Sequence, residues 1–118
     1  MNEHGVKSVA IDLDGTLAEY DGWKGVEHIG KPIPVMMEVV KLMIGMGYDV
    51  EIFTARVSSN SDEEATEAEY YIHKWLRENG LPHLEVTAIK KKKFDEFWDD
   101  RAVHVTRNAG ITTTEWRS

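Results

Sequence analysis

The chain has 118 residues, 42% of them hydrophobic and 30% charged, which suits a single domain over residues 1–118 with one buried core. Its 21 acids against 14 Lys and Arg leave a net charge of -7, which argues against a general nucleic-acid binder but leaves room for a locally positive site and an anionic substrate. The lack of cysteine excludes a disulfide framework, a thiolate nucleophile and Cys-ligated zinc. The N-terminus lacks the charged start and apolar run of a signal peptide, and no apolar run nears the roughly 20 residues that cross a bilayer. These features predict a cytoplasmic protein with no membrane partner.

In chain order, Val6 to Leu13 reads as a strand whose second half is continuously apolar, as in a parallel sheet covered on both faces. Residues 18 to 31 hold three glycines and little periodicity, and read as loop. "KPIPVMMEVVKLMIGMG" reads as a helix, with Pro32 or Pro34 in its first turn and Gly47 at its stop. Val35, Val39, Leu42, Met43 and Met46 recur there at helical spacing and are expected to pack into the core. "YDVEIF" (48–53) is a second strand and "TARVSSNS" a loop. Ser61 to Glu64 fits a capping box that opens a helix running to Gly80, with Pro82 just beyond. Its early acids, Asp62, Glu63, Glu64, Glu67 and Glu69, favour the positive end of the helix dipole and read as a solvated face. "LEVTAI" (84–89) is a third strand, and short strands are expected near Phe97–Trp98 and Val103–Val105. The C-terminal "TTTEWRS" reads as loosely held. Strands alternating with helices predict an α/β fold with a mainly parallel sheet.

Ligands of such sheets sit beyond the carboxyl ends of the strands. Asp12 and Asp14 leave the first strand there, Thr54 the second, and Asp99 and Asp100 a later one, with the lysine run 90–93 just upstream. Two carboxylates one residue apart share a strand face, and their repulsion is about 1 kcal/mol in water and several times more when partly buried. A cation, a shared proton or exposure in a turn must offset it. "DLDG" alone is also a common turn sequence. A calcium loop starting at Asp12 fails, because its sixth position is Leu17 rather than Gly and its twelfth is Trp23 rather than Glu.

Phosphoryl transfer uses such a set. A carboxylate attacking a phosphate ester needs a cation against anion–anion repulsion, and an oxygen-only donor set suits Mg²⁺ rather than zinc. Asp12 would be the nucleophile that becomes an aspartyl-phosphate. Asp14 would be general acid and then general base. Thr54 would offer its hydroxyl and main-chain N–H to a phosphate oxygen, and one lysine would neutralise the transferring group. Gly15 permits unusual backbone angles beside the two acids. The five histidines show no ligand spacing, and Trp75 reads as core whereas Trp23 could contact substrate.

Together, "DLDGT" (12–16), "FTAR" (53–56), the lysines at 90–93 and "WDDRAV" (98–103) resemble the four motifs of the haloacid dehalogenase (HAD) superfamily, in order and over nearly the whole chain. The "TAR" and "DDR" elements are similar to those in the phosphatase domain of bacteriophage polynucleotide kinases. The resemblance implies a Rossmann-like three-layer α/β/α sandwich with no cap domain, and Mg²⁺-dependent hydrolysis of phosphate monoesters. It implies catalytic roles for Asp12, Asp14, Thr54 and Lys91, and metal binding by Asp12, Asp14, Asp99 and Asp100. Leu13, Thr54, Ala55, Arg56, Lys90 and Lys91 would contact substrate, with Arg56 and Arg101 also able to order the loop. Lys91 is favoured over Lys90 because the pattern K-x-x-x-D-x-x-x-DD then falls on Asp95 and Asp99. The implied partner is a small phosphorylated substrate or a phosphorylated nucleic-acid end, reached through an open site. The alternative is a catalytically silent phosphate- or nucleotide-binding module on the same fold. A receiver-like module is excluded by motif order, since its phospho-acceptor Asp would follow the third strand, which here ends in "TAI".

Overall fold

Alternation along the first strand sets the layers. Val9 and Ile11 point to one face of a sheet and Ser8, Ala10 and Asp12 to the other. The computed structural model describes residues 5–58 and 61–99, and the backbone of 103–105. Its strands are β1 (Ser8–Asp12), β2 (Asp49–Phe53), β3 (Glu85–Thr87), β4 (Glu96–Trp98) and β5 (Val103–Val105), and its helices are α1 (Pro34–Gly45) and α2 (Asp62–Glu78). The spatial order is β3-β2-β1-β4-β5, in which the first four strands run parallel and β5 pairs antiparallel with β4. Val9 lies opposite Val50 and Ile11 opposite Ile52, so the apolar residues of neighbouring strands share a face.

Both helices cover that face. Met37, Val40 and Met43 of α1 and Ile72, Trp75 and Leu76 of α2 join Val9, Ile11, Val50 and Ile52 in one buried cluster. This follows from two crossovers of the same hand, β1 to β2 and β2 to β3, stepping in one direction across the sheet. The opposite face is covered, among the described residues, by the segment 90–94 rather than by a helix. There Phe94, 1% exposed, meets Phe97 edge-on at 5.3 Å, and Phe97 meets Phe53 at 5.8 Å. The architecture described is thus a small α/β fold with a mainly parallel sheet and one helical layer.

Local chemistry accounts for the element ends. Pro34 opens α1, and Gly47 at φ +84° ends the turn after it. The Ser61 hydroxyl accepts the Glu64 N–H at the start of α2, as the capping box requires, and Gly80 at φ +81° follows its end. The expected stripe on α1 is corrected. Met43 is buried, but Val35, Leu42 and Met46 are exposed, and the core-facing set is Met37, Val40 and Met43. An apolar series at helical spacing was present on two faces of this helix, and spacing alone does not say which one meets the sheet. Among the described residues no helix is long and apolar enough to cross a membrane. The C-terminal "TTTEWRS" lies outside the described residues.

Candidate functional site

Parallel strands bring their carboxyl ends to one edge, where a cavity of about 620 Å³ opens. Asp12 and Asp14 from the end of β1 and Thr54, Ala55 and Arg56 from the end of β2 line it. Asp12 pairs with Phe53, so Thr54 begins one residue beyond it on the next strand. On the other side Ile11 pairs with Trp98, which sets Asp99 level with Asp12 in sequence register.

The turn after β1 is tightly wound. The Leu13 carbonyl accepts the N–H groups of Thr16, Leu17 and Ala18 at 3.3, 3.0 and 2.9 Å, and the Gly15 N–H donates to the Ala18 carbonyl at 2.8 Å. Gly15 sits at φ +87°, the left-handed region that a side chain disfavours, as expected for the residue after Asp14. The Leu13 side chain is fully buried, so of this residue only the backbone faces the turn.

Arg56 organises the cavity. Its Nε donates to Asp14 Oδ2 at 2.8 Å and its Nη2 to Asp14 Oδ1 at 2.9 Å, a bidentate pair with the Arg side chain only 5% exposed. The same guanidinium donates to the carbonyls of His28 at 3.0 Å and Val26 at 3.4 Å, and lies 4.9 Å from the centroid of the Trp23 ring. It therefore ties the loop 20–30 to Asp14. The loop is also closed at its base, where the Glu19 N–H donates to the Lys31 carbonyl at 2.8 Å and the Trp75 indole N–H to the Gly30 carbonyl at 2.9 Å. A Cβ on Gly30 would lie 2.0 Å from the Glu19 carbonyl oxygen, so this crossing needs glycine.

Thr54 is 2% exposed, and its hydroxyl accepts the Arg56 N–H at 3.1 Å. Its own N–H donates to the Thr87 carbonyl at 2.9 Å. The expectation that this N–H meets a phosphate oxygen is therefore corrected, because the last step of the β2–β3 ladder uses it. The hydroxyl keeps its own proton to donate.

The lysines divide. Lys91 Nζ lies 2.8 Å from Glu51 Oε1 and Lys93 Nζ 2.5 Å from Glu51 Oε2, on the sheet face away from the helices. Lys93 also meets Asp49 at 2.9 Å. Hydrogen bonds to Glu51 and then to Asp49 raise the Lys93 pKa, against a smaller opposing effect of burial. Lys90 Nζ lies 5.8 Å from the Phe97 ring, on the strand next to β1. Among the described residues lining the cavity there is no lysine. The expected meeting of acids, hydroxyl and ammonium at one edge is thus met for Asp12, Asp14 and Thr54; Asp99 is not among the residues lining the cavity, and Lys91 is drawn to Glu51.

A hard divalent cation here would have to draw its oxygen donors from Asp12, Asp99 and the main-chain carbonyl of Asp14, since both carboxylate oxygens of Asp14 meet Arg56. They suit Mg²⁺, which takes one or two carboxylates and keeps several waters. Among the described residues no group of three or more His, Asp or Glu is assembled as a ligand cluster. Asp100 and Arg101, the remaining expected site residues, lie outside the described residues.

Besides the Asp14–Arg56 pair, three contacts escaped the sequence reading. The Glu51–lysine pairs had a legible signal, the alternation of Asp49 and Glu51 with Val50 and Ile52 set against a four-lysine run. The Trp23–Arg56 stack and the His73–His83 stack at 4.3 Å join residues 33 and 10 positions apart, with no local pattern to mark them. Compared with protein-family models, with curated proteins and with solved structures, the chain matches none.

Proposed function

We propose that the chain is a Mg²⁺-dependent phosphomonoester hydrolase, a HAD-like domain without a cap that works through an aspartyl-phosphate on Asp12. One observation carries this reading. Asp12, Asp14, Thr54 and Arg56, delivered by the ends of two adjacent parallel strands, line one cavity at the carboxyl edge of the sheet. The resemblance of the four sequence motifs supports it, and the second helical layer of a three-layer sandwich belongs to the same proposal.

In this reading an Asp12 carboxylate oxygen attacks phosphorus and the bond to the ester oxygen breaks. Asp14 gives the leaving alkoxide its proton, then takes one from the water that attacks the aspartyl-phosphate and releases inorganic phosphate. Both Asp14 oxygens meet Arg56, so each proton transfer requires one of them to turn towards the cavity. The Thr54 hydroxyl donates to a phosphate oxygen while its oxygen still accepts the Arg56 N–H. A Mg²⁺ held by Asp12, the Asp14 carbonyl, Asp99 and Asp100 would offset the repulsion between Asp12 and the phosphate. With Lys91 bound to Glu51, Lys90 would be the ammonium for the transferring group in this reading.

The test is phosphate release from a small aryl phosphate by the full chain, with Mg²⁺ and with chelator. Mg²⁺-dependent turnover is expected, and Asp12→Asn should lower it at least about a thousandfold with unchanged circular dichroism. Turnover retained by the variant would remove Asp12 as nucleophile. Two observations favour the second reading, a silent phosphate-binding module: the engagement of Asp14 by Arg56, and a described cavity wall without lysine. No turnover across a panel of phosphomonoesters, together with measurable phosphate binding, would select it.

A further inference from the structure

Two large aromatic side chains stand at the rim of this cavity where burial would be the ordinary fate of such rings. Tyr20 is 50% and Trp23 60% exposed, and both line the same space as Asp12 and Asp14. The Trp23 ring is backed by the Arg56 guanidinium at 4.9 Å, and Arg56 is itself fixed by Asp14 and two loop carbonyls. A tryptophan held from behind by a cation, with most of its surface in solvent, is a preformed platform for a flat aromatic group. The cavity volume falls within the range that encloses small organic ligands.

Charge limits what else the ligand carries. The wall presents Asp12, Asp14 and Glu64, and its one described cation, Arg56, already pairs with Asp14. A chain of phosphates would bring charge that these residues do not balance, in a protein whose net charge is -7. We propose that Tyr20 and Trp23 receive the nucleobase of a single nucleoside monophosphate whose phosphate sits at Asp12. This assignment rests on the phosphatase reading for the phosphate and on the aromatic rim for the base.

The test compares adenosine 5′- and 3′-monophosphates with ribose 5-phosphate, which lacks the base, using the full chain with Mg²⁺. Wild-type kcat/KM should favour one of the nucleotides over ribose 5-phosphate. Trp23→Ala should shrink that preference roughly tenfold, whereas Trp23→Phe should keep most of it, in line with the stacking strength of a single base. An equal loss for nucleotide and sugar phosphate, or no wild-type preference, would overturn the base site. If the wild type hydrolyses none of the three, calorimetric titration of the nucleotides into Asp12→Asn separates the two proposals. Binding abolished by adding Trp23→Ala would sustain the base site while the phosphatase reading falls, and absence of binding would overturn it. Tighter binding of a phosphorylated oligonucleotide than of the monophosphate would overturn the restriction to one nucleoside.

Discussion

Two acid–cation groups sit on this sheet, and they are built differently. At the carboxyl edge Arg56 grips Asp14 with two parallel bonds beside an open cavity, and Asp14 retains 21% side-chain exposure. In the middle of the face away from the helices, Glu51 is 2% exposed and held by two lysines that are each 38% exposed. An Arg fork fixes the orientation of a carboxylate, while lysines act as point charges on flexible stems. The first arrangement fixes an acid beside a space where something can bind. The second neutralises an acid that nothing can reach. The acid's access to solvent and the geometry of its cation separate a candidate working group from a structural one.

The largest effect should come from stripping the inner group. Lys91→Ala with Lys93→Ala leaves Glu51 buried without its counter-ions, and unfolding in urea should show a loss of about 3 kcal/mol. Adding Glu51→Leu should restore most of it, because the uncompensated charge is then gone. Lys91→Ala alone should cost less, since Lys93 still reaches Glu51. If Lys91→Ala instead abolished phosphate release at normal stability, Lys91 would belong to the edge group after all.

Next comes the outer group. Arg56→Lys keeps the charge but loses the fork, so kcat for phosphate release should fall about a hundredfold with a smaller change in KM. Lys24 lies in the loop that Arg56 holds, which provides a readout independent of activity. Trypsin should cleave after Lys24 faster in Arg56→Ala than in the wild type, because the loop opens more often. Unchanged cleavage would mean that the pinned base at Glu19 and Lys31 holds the loop without Arg56.

The same contrast explains what was legible in the sequence. Strand and helix positions followed from local patterns: the apolar run of β1, the Ser61 cap, and the glycines at 47 and 80. The place of Asp12, Asp14 and Thr54 followed from a rule about parallel strands, and they do line one cavity. What could not be read locally was the choice of partner. Lys91 was favoured for its spacing to Asp95 and Asp99, yet a buried carboxylate 40 residues upstream holds its ammonium. Arg56 was expected to meet substrate or order the loop, and its bond to Asp14 adds a role that spacing does not encode. The α1 face failed for a related reason, since its two apolar series look alike until the sheet selects one.

A third ionisable contact sharpens the comparison, because it pairs like with like. The rings of His73 and His83 stack at 4.3 Å and 14°, and His73 Nδ1 is buried without a hydrogen-bond partner among the described residues. Burial, and then the neighbouring His83, lower the His73 pKa, with Arg77 adding to them and Glu69 and Glu85 opposing. A proton on Nδ1 would create a buried donor with nothing to receive it. The unfolded chain, with a histidine pKa near 6.5, therefore binds more protons than the folded one. Stability should fall as pH drops through about 6.5, levelling off below the folded pKa and above the unfolded value. His73→Phe keeps a ring for stacking and removes the titration, so the slope of urea stability against pH should flatten near 6. The effect should be the smallest of the three, well under one proton, because His73 is only partly buried. An unaltered slope would place the titrating group elsewhere, and would mean that the two rings lie together without repelling each other.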